Sequence, residues 1–188
     1  MKATPTAIPE VIVIEPKVLG DARGFFYESF NQAAFDIATG TAFKFVQDNH
    51  SRSSKGVLRG LHYQLPPHAQ GRLVRVIRGA IWDVAVDVRN GSPTLCHWVG
   101  QELTEYSHKQ LWIPPGFAHG FLVLSESADV VYKTTNYYAP QSERGLMWND
   151  PDIGVAWPDL GMDFLLSDKD QKQPLLQNAE VFGAKCIK

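Results

Sequence analysis

Between residues 43 and 148 the chain breaks into short segments rich in β-branched and aromatic residues, each closed by Gly, Pro, Asn or Ser. That rhythm is the strongest constraint on what it can fold into. Nothing helix-length separates the segments, as a βαβ alternation would demand, so the pattern points to an all-β sandwich or barrel. The spacing predicts strands over 43–49, 57–64, 73–78, 81–88, 98–103, 110–113, 120–124, 130–138 and 146–148, with Gly79 in a tight turn. Upstream, a β-branched run at 11–14 stops at Pro16, and an aromatic run at 24–30 follows the turn-like Gly20-Asp21. Asn31 can then cap a short helix through Ala33, Ala34, Phe35 and Ile37, closed by Gly40. The tail from Trp157 is interrupted by Pro158, Gly161 and Pro174 and ends in a weakly helical stretch at 175–181. A chain of 188 residues fits one domain. Its expected parts are N-terminal strands and a helix over 1–45, a barrel over 46–150, and a C-terminal segment over 151–188 packed against it.

Within this frame the segment 56–64, Gly-Val-Leu-Arg-Gly-Leu-His-Tyr-Gln, is anomalous. It sets Arg59 and His62 in a strand core, where a cation and an imidazole are costly unless used or satisfied. Either the pair serves proton transfer beside a developing negative charge, or His62 is a hydrogen-bonded core histidine and Arg59 snorkels to water. Strict alternation would separate the two residues onto opposite faces, so Gly60 is expected to form a bulge that re-aims the strand. The same period pairs Gln47 with Asn49, aligns Tyr132, Thr134, Asn136 and Tyr138, and aligns Asp83, Ala85 and Asp87. If these faces line a barrel, its mouth is polar and fits a ligand of sugar size.

A net charge of -2 removes any global electrostatic case for nucleic acid. There is no apolar run of bilayer length and no signal-like N-terminus, so a cytoplasmic protein without a membrane partner is expected. Cys96 and Cys186 form no CxxC pair and read as ordinary thiols. Pro114-Pro115-Gly116-Phe117-Ala118-His119-Gly120-Phe121 resembles the second motif of the cupins, double-stranded β-helix barrels that often hold a metal. The matching first motif offers His62-Tyr63-Gln64 in place of His-x-His and a following Glu, which leaves too few ligands for a metal and predicts none. His68, in a polar Pro-rich segment, reads as an exposed loop residue, and His50, His97 and His108 carry no signal. Tyr132 could be a core aromatic or a proton donor, Asp170 a surface charge or a site carboxylate, and Arg72 a rim cation.

Several longer motifs then stand together in order. They are Asp21-Ala22-Arg23-Gly24-Phe25-Phe26, Val46-Gln47-Asp48-Asn49-His50-Ser51, the segment 57–64, Gln110-Leu111-Trp112-Ile113-Pro114, Gly116-Phe117-Ala118-His119-Gly120-Phe121, the segment 132–138, and Trp148-Asn149-Asp150. Over residues 5–176 the chain resembles the dTDP-4-dehydrorhamnose 3,5-epimerase family. The resemblance implies an all-β, cupin-like jelly roll with an N-terminal strand extension and short peripheral helices. It also implies a homodimer without a cofactor, and inversion at carbons 3 and 5 of a 4-keto-6-deoxy sugar carried on thymidine diphosphate, a step in supplying rhamnose for surface polysaccharides. By position, it makes His62 the base, Asp170 the carboxylate that orients it, and Tyr132 the acid on the other face of the sugar. Arg59 and His119 would contact the substrate. Arg23, Glu28, Gln47, Asn49, Glu143 and Lys169 would bind the nucleotide sugar, and Tyr138 would stack on the thymine. Arg72 stands where the family usually has Lys, exchanging a point charge for a planar fork at the enolate contact. Alternatives are a single-carbon epimerase or 3,4-ketoisomerase on a related nucleotide sugar, and a jelly roll that binds sugar without chemistry. The strands around 23–28 are candidates for exchange between subunits.

Overall fold

Alternate side chains of a strand share a face, and here the faces sort into layers. The computed structural model describes residues 1–185; Cys186 lies outside them. Its elements in chain order are β1 (Lys2–Pro5), β2 (Ile12–Glu15), β3 (Leu19–Asp21), β4 (Gly24–Phe26), helix α1 (Gln32–Thr39), β5 (Gln47–Ser54), β6 (Leu58–Gln64), β7 (Arg72–Arg78) and β8 (Ala80–Asp87). These are followed by β9 (Trp98–Thr104), β10 (Gln110–Ile113), β11 (Phe117–Val123), β12 (Ser127–Thr134), β13 (Glu143–Gly145), β14 (Glu180–Val181) and β15 (Ala184–Lys185). Two antiparallel sheets, ordered β1-β2-β10-β7-β12-β5 and β13-β6-β11-β8-β9, make the barrel. The chain crosses between them from β5 to β6, β6 to β7, β7 to β8, β9 to β10, β10 to β11, β11 to β12 and β12 to β13, the alternation of a jelly roll.

Between the sheets lie Val11, Val13, Val74, Val76, Ile81, Ala85, Leu111, Ile113, Phe117, Phe121, Val123 and Val130. The residues between them point outward. Ile12, Ile14, Leu73 and Trp112 pack against Phe35 of α1, and Leu61, Tyr63, Val84, Val86 and Ala118 pack against Ile153, Leu176 and Val181 of the C-terminal segment. Each such side chain contributes about 1.5–3 kcal/mol when fully buried. The helix forms as its punctuation predicts: the Asn31 side chain accepts from Ala34 N, and Gly40 ends it in the left-handed conformation.

Several boundaries depart from the sequence expectation. The strand expected at 43–49 runs over Gln47–Ser54. Phe43 and Phe45 are aromatic because they pack on Trp112, and the polar stretch after them is an edge strand bonded only to β12. The run at 24–30 is a small hairpin, β3 against β4, with Phe25 and Phe26 largely exposed. β12 stops at Thr134, so Asn136 and Tyr138 leave the strand. Leu146 exchanges both backbone hydrogen bonds with Leu61, but the strand there is Glu143–Gly145. The stretch at 175–181 is a 3-10 turn, Leu176–Asn178, followed by β14, with no α-helix.

The bulge at Gly60 is present. His62 pairs with His119 and Arg59 with Phe121, so β6 carries one more residue than β11 over this span. Gly60 has φ +131, and a Cβ there would come within 2.5 Å of Gly120 Cα, so both conformation and space demand glycine.

Candidate active site

The bulge turns Arg59 and His62 into one cavity. Its main lobe, about 280 Å³, is lined by Arg59, His62, Arg72, His119, Tyr132, Lys169 and Asp170 together with Ser51, Phe121 and Ser167. An adjoining lobe of about 140 Å³ is lined by Gln47, Asn49, Tyr138, Glu143, Gln64 and Gln70 and shares His62, Arg72 and Tyr132 with the first. Of the residues expected to act on or bind the substrate, only Arg23 and Glu28 lie elsewhere; of the strand faces expected to line the mouth, Asp83, Ala85, Asp87, Thr134 and Asn136 stay out of the lining. Arg23 pairs with Asp21 in the β3–β4 hairpin, and Glu28 accepts from Asn31. The sheets supply the two proton carriers separately: His62 is on β6 in one sheet, Tyr132 on β12 in the facing one.

His62 Nε2 lies 2.6 Å from Asp170 Oδ1, and Ser167 Oγ donates to Asp170 Oδ2 at 2.8 Å. Burial opposes ionisation of Asp170. The hydrogen bond and charge of His62, with help from Ser167 and Lys169, outweigh it and hold the carboxyl below its usual range. An ionised carboxylate only accepts, so the contact places a proton on His62 Nε2; in the neutral ring Nδ1 is then bare, the arrangement a base requires. At the other lobe, burial also opposes ionisation of Glu143, but the Lys169 ammonium at 2.6 Å and the Tyr138 hydroxyl at 2.9 Å hold its carboxyl low. Tyr138, itself over half exposed, has its phenol pushed up by Glu143.

Deeper in, Arg72 Nη1 lies 3.0 Å from His119 Nδ1, and His119 Nε2 lies 2.6 Å from Asp83 Oδ1. Burial lowers the pKa of His119, with the Arg72 charge adding to the effect and Asp83 opposing it. Burial likewise lowers that of Arg72, against the pull of Tyr132, Glu143 and Asp83. Arg59 donates to Ser53 Oγ at 3.0 Å. Among the described residues no three His, Cys, Asp or Glu side chains gather as metal ligands.

Ser51 and Ser167 belong to the site and were not singled out from sequence, whereas Asp83 was read only as part of a polar strand face. Ser51 follows Gln47 and Asn49 at the same two-residue interval and was legible on that ground. Ser167 and Asp83 act through their contacts with Asp170 and His119, which no spacing reveals. His68, expected in an exposed loop, is half-buried and bonded to Ser142 Oγ at 2.9 Å.

A jelly roll that holds two His–Asp pairs, a phenol and two guanidinium groups around one sugar-sized cavity belongs among the cupin-type barrels equipped for acid–base work on a carbohydrate. The family model described as dTDP-4-dehydrorhamnose 3,5-epimerase matches residues 5–178. A dTDP-4-dehydrorhamnose 3,5-epimerase of Pseudomonas aeruginosa is 56% identical over 97% of this chain and 99% of its own length. Among solved structures, the dTDP-6-deoxy-D-glucose-3,5-epimerase of Legionella pneumophila, in complex with dTDP-4-keto-L-rhamnose, is 52% identical with a TM-score of 0.89, covering 93% of this chain and 92% of that one. A 3'-monoepimerase of Streptomyces bikiniensis in complex with dTDP-quinovose is 36% identical with a TM-score of 0.86, covering 93% and 87%. The chain belongs to the dTDP-4-dehydrorhamnose 3,5-epimerase family, and it is an isomerase.

Proposed function

We propose that the chain epimerises carbons 3 and 5 of dTDP-4-dehydro-6-deoxy-D-glucose to give dTDP-4-dehydro-L-rhamnose, with His62 as base, Asp170 as the residue that orients it, and Tyr132 as acid. The observation that carries this reading is the pairing of a carboxylate-oriented imidazole with a phenol from the facing sheet across one cavity. Both carbons flank the ketone at carbon 4, so loss of either proton leaves an enolate whose charge rests on the same oxygen. One base, one oxyanion site and one acid on the opposite face therefore serve both inversions. A base that returned its own proton would restore the starting configuration. Arg72 and Arg59 supply fixed positive charge for the enolate, a contribution of about 10²–10³ per donor in related oxyanion sites. The second lobe, with Gln47, Asn49, Tyr138, Glu143 and Lys169, suits the nucleotide.

The same reading extends to a homodimer. The β3–β4 hairpin exposes Phe25 and Phe26 while carrying Arg23, and Glu28 follows it. In a dimer that hairpin would cover its apolar face and bring Arg23 and Glu28 to the partner's cavity. The whole chain would act as a single domain, in the cytoplasm. No helix among the described residues is long and apolar enough to cross a membrane.

Incubation with the 4-keto-6-deoxyglucose nucleotide in deuterated water tests the assignment. Label at both carbon 3 and carbon 5 is expected. Label at carbon 3 alone would make it a single-carbon epimerase of the Streptomyces bikiniensis kind, and no label at all would reduce it to a sugar-binding barrel.

A further inference from the structure

We infer that Asp83 is a positioning residue: by keeping the proton of His119 on Nε2 it leaves Nδ1 bare, and that bare nitrogen holds the Arg72 guanidinium in the cavity. The inference rests on the reading of this cavity as the epimerase site. Arg72 opens β7 in one sheet, while Asp83 and His119 sit on β8 and β11 in the other, so the three side chains form one line between the sheets. The His119 ring stands in the middle, 3.0 Å from Arg72 Nη1 and 2.6 Å from Asp83 Oδ1.

The two contacts select one tautomer. A guanidinium offers donors and no acceptor, so a hydrogen bond between Arg72 and His119 forms only if Nδ1 has no proton. The ring proton then sits on Nε2, and Asp83 Oδ1 accepts it. Both nitrogens of His119 are occupied, and the ring has none left to take or give a proton. His62 remains the imidazole with a bare nitrogen at the cavity, and His119 serves as a spacer that transmits the position of Asp83 to Arg72.

The partnering of Asp83 fits this role. It is fully buried, its Oδ2 has no hydrogen-bond partner among the described residues, and its Oδ1 is bonded to the ring that contacts Arg72. A carboxylate kept solely to brace a strand would be closed by donors on both oxygens. One N–H of Arg72 is committed to His119, and Arg72 lines both lobes, which leaves its other donors for an oxygen of the ligand.

Two measurements test the inference. In the unmodified enzyme, imidazole nitrogen NMR, with His119 identified by the signals lost in His119→Asn, should show a protonated Nε2 and a bare Nδ1. A proton on Nδ1 overturns the inference whether or not any variant folds. In Asp83→Asn the amide can donate to Nε2 and move the proton to Nδ1, against an N–H of Arg72. We expect kcat to fall about 10²–10³-fold with KM changed by less than about threefold. In an Arg72→Ala background the same change should lower kcat by no more than roughly threefold, since its effect passes through Arg72. A full loss in both backgrounds, or none in either, overturns it. An unmodified enzyme that exchanges no deuterium at either carbon would instead overturn the reading of the cavity, while the nitrogen spectrum would still judge Asp83.

Discussion

Asp83 and Asp87 lie on the same face of β8 and both are fully buried, yet their surroundings differ in kind. Asp87 accepts from Arg89 N, Nε and Nη2, from Ser92 Oγ and from Thr94 Oγ1, all between 2.5 and 2.9 Å. Burial opposes its charge, but those donors hold the carboxyl below its usual range. Arg89 in turn stacks over Phe117 at 4.5 Å and reaches Glu10. Asp83 has one histidine donor and an oxygen with none. The cluster around Asp87 is finished without a ligand, and its groups are absent from the cavity lining. Asp83 is also absent from that lining, but the residues it is bonded through, His119 and then Arg72, line the cavity. Buried charge of the first kind stabilises a fold, and buried charge of the second kind is available to chemistry.

This contrast can be broken first on the side of the site. His62→Ala should lower deuterium exchange at both carbons by about 10²–10⁴-fold, while thymidine diphosphate affinity by calorimetry stays within a few fold. Activity that survived nearly intact would remove the base from the account. On the other side, Asp87→Ala should lower unfolding free energy by about 3 kcal/mol, because it removes the buried acceptor that Arg89, Ser92 and Thr94 share. Denaturant titration would measure this, and the activity of the molecules that remain folded should be unchanged. An activity loss larger than the stability loss explains would mean that Asp87 belongs to the site after all.

Acid sharpens the comparison further. Asp87, Asp170 and Glu143 are all held below the usual carboxylate range, so the folded protein binds fewer protons than the unfolded chain. The stability they contribute is complete above the unfolded carboxylate pKa of about 4 and is lost as pH falls through the lower folded values. Unfolding midpoints should therefore drop below about pH 4, and Asp87→Asn should flatten that drop more than Asp170→Asn does. The smallest effect concerns the apolar interior. Ile81→Val should cost about 0.5–1.5 kcal/mol with kcat unmoved, which thermal unfolding and initial rates would check.

Much of this molecule was legible in its sequence, and the exceptions share a cause. The strand rhythm, the Asn31 and Gly40 caps and the Gly60 bulge follow from local chemistry, and the structure has each of them. Phe43 and Phe45 misled because aromatic residues mark contact with some surface, here Trp112, which need not be the neighbouring strand. The continuation of β5 through residues 50–54 escaped notice because an edge strand that lines a cavity has no apolar alternation to display. Arg59, His62, Arg72, His119, Tyr132 and Asp170 meet in one cavity although residues 62 and 170 are far apart in the chain. Motif order pointed to them one by one. The partners of Asp83 and Ser167 depend on how three strands and a turn converge, and no local pattern encodes that.

The central claim is that proton removal and proton return belong to different residues on facing sheets. Tyr132→Phe in deuterated water tests it most directly, by following label in recovered substrate beside the appearance of inverted product. The account predicts that exchange into substrate persists while inversion falls much further. Equal losses of both would contradict it.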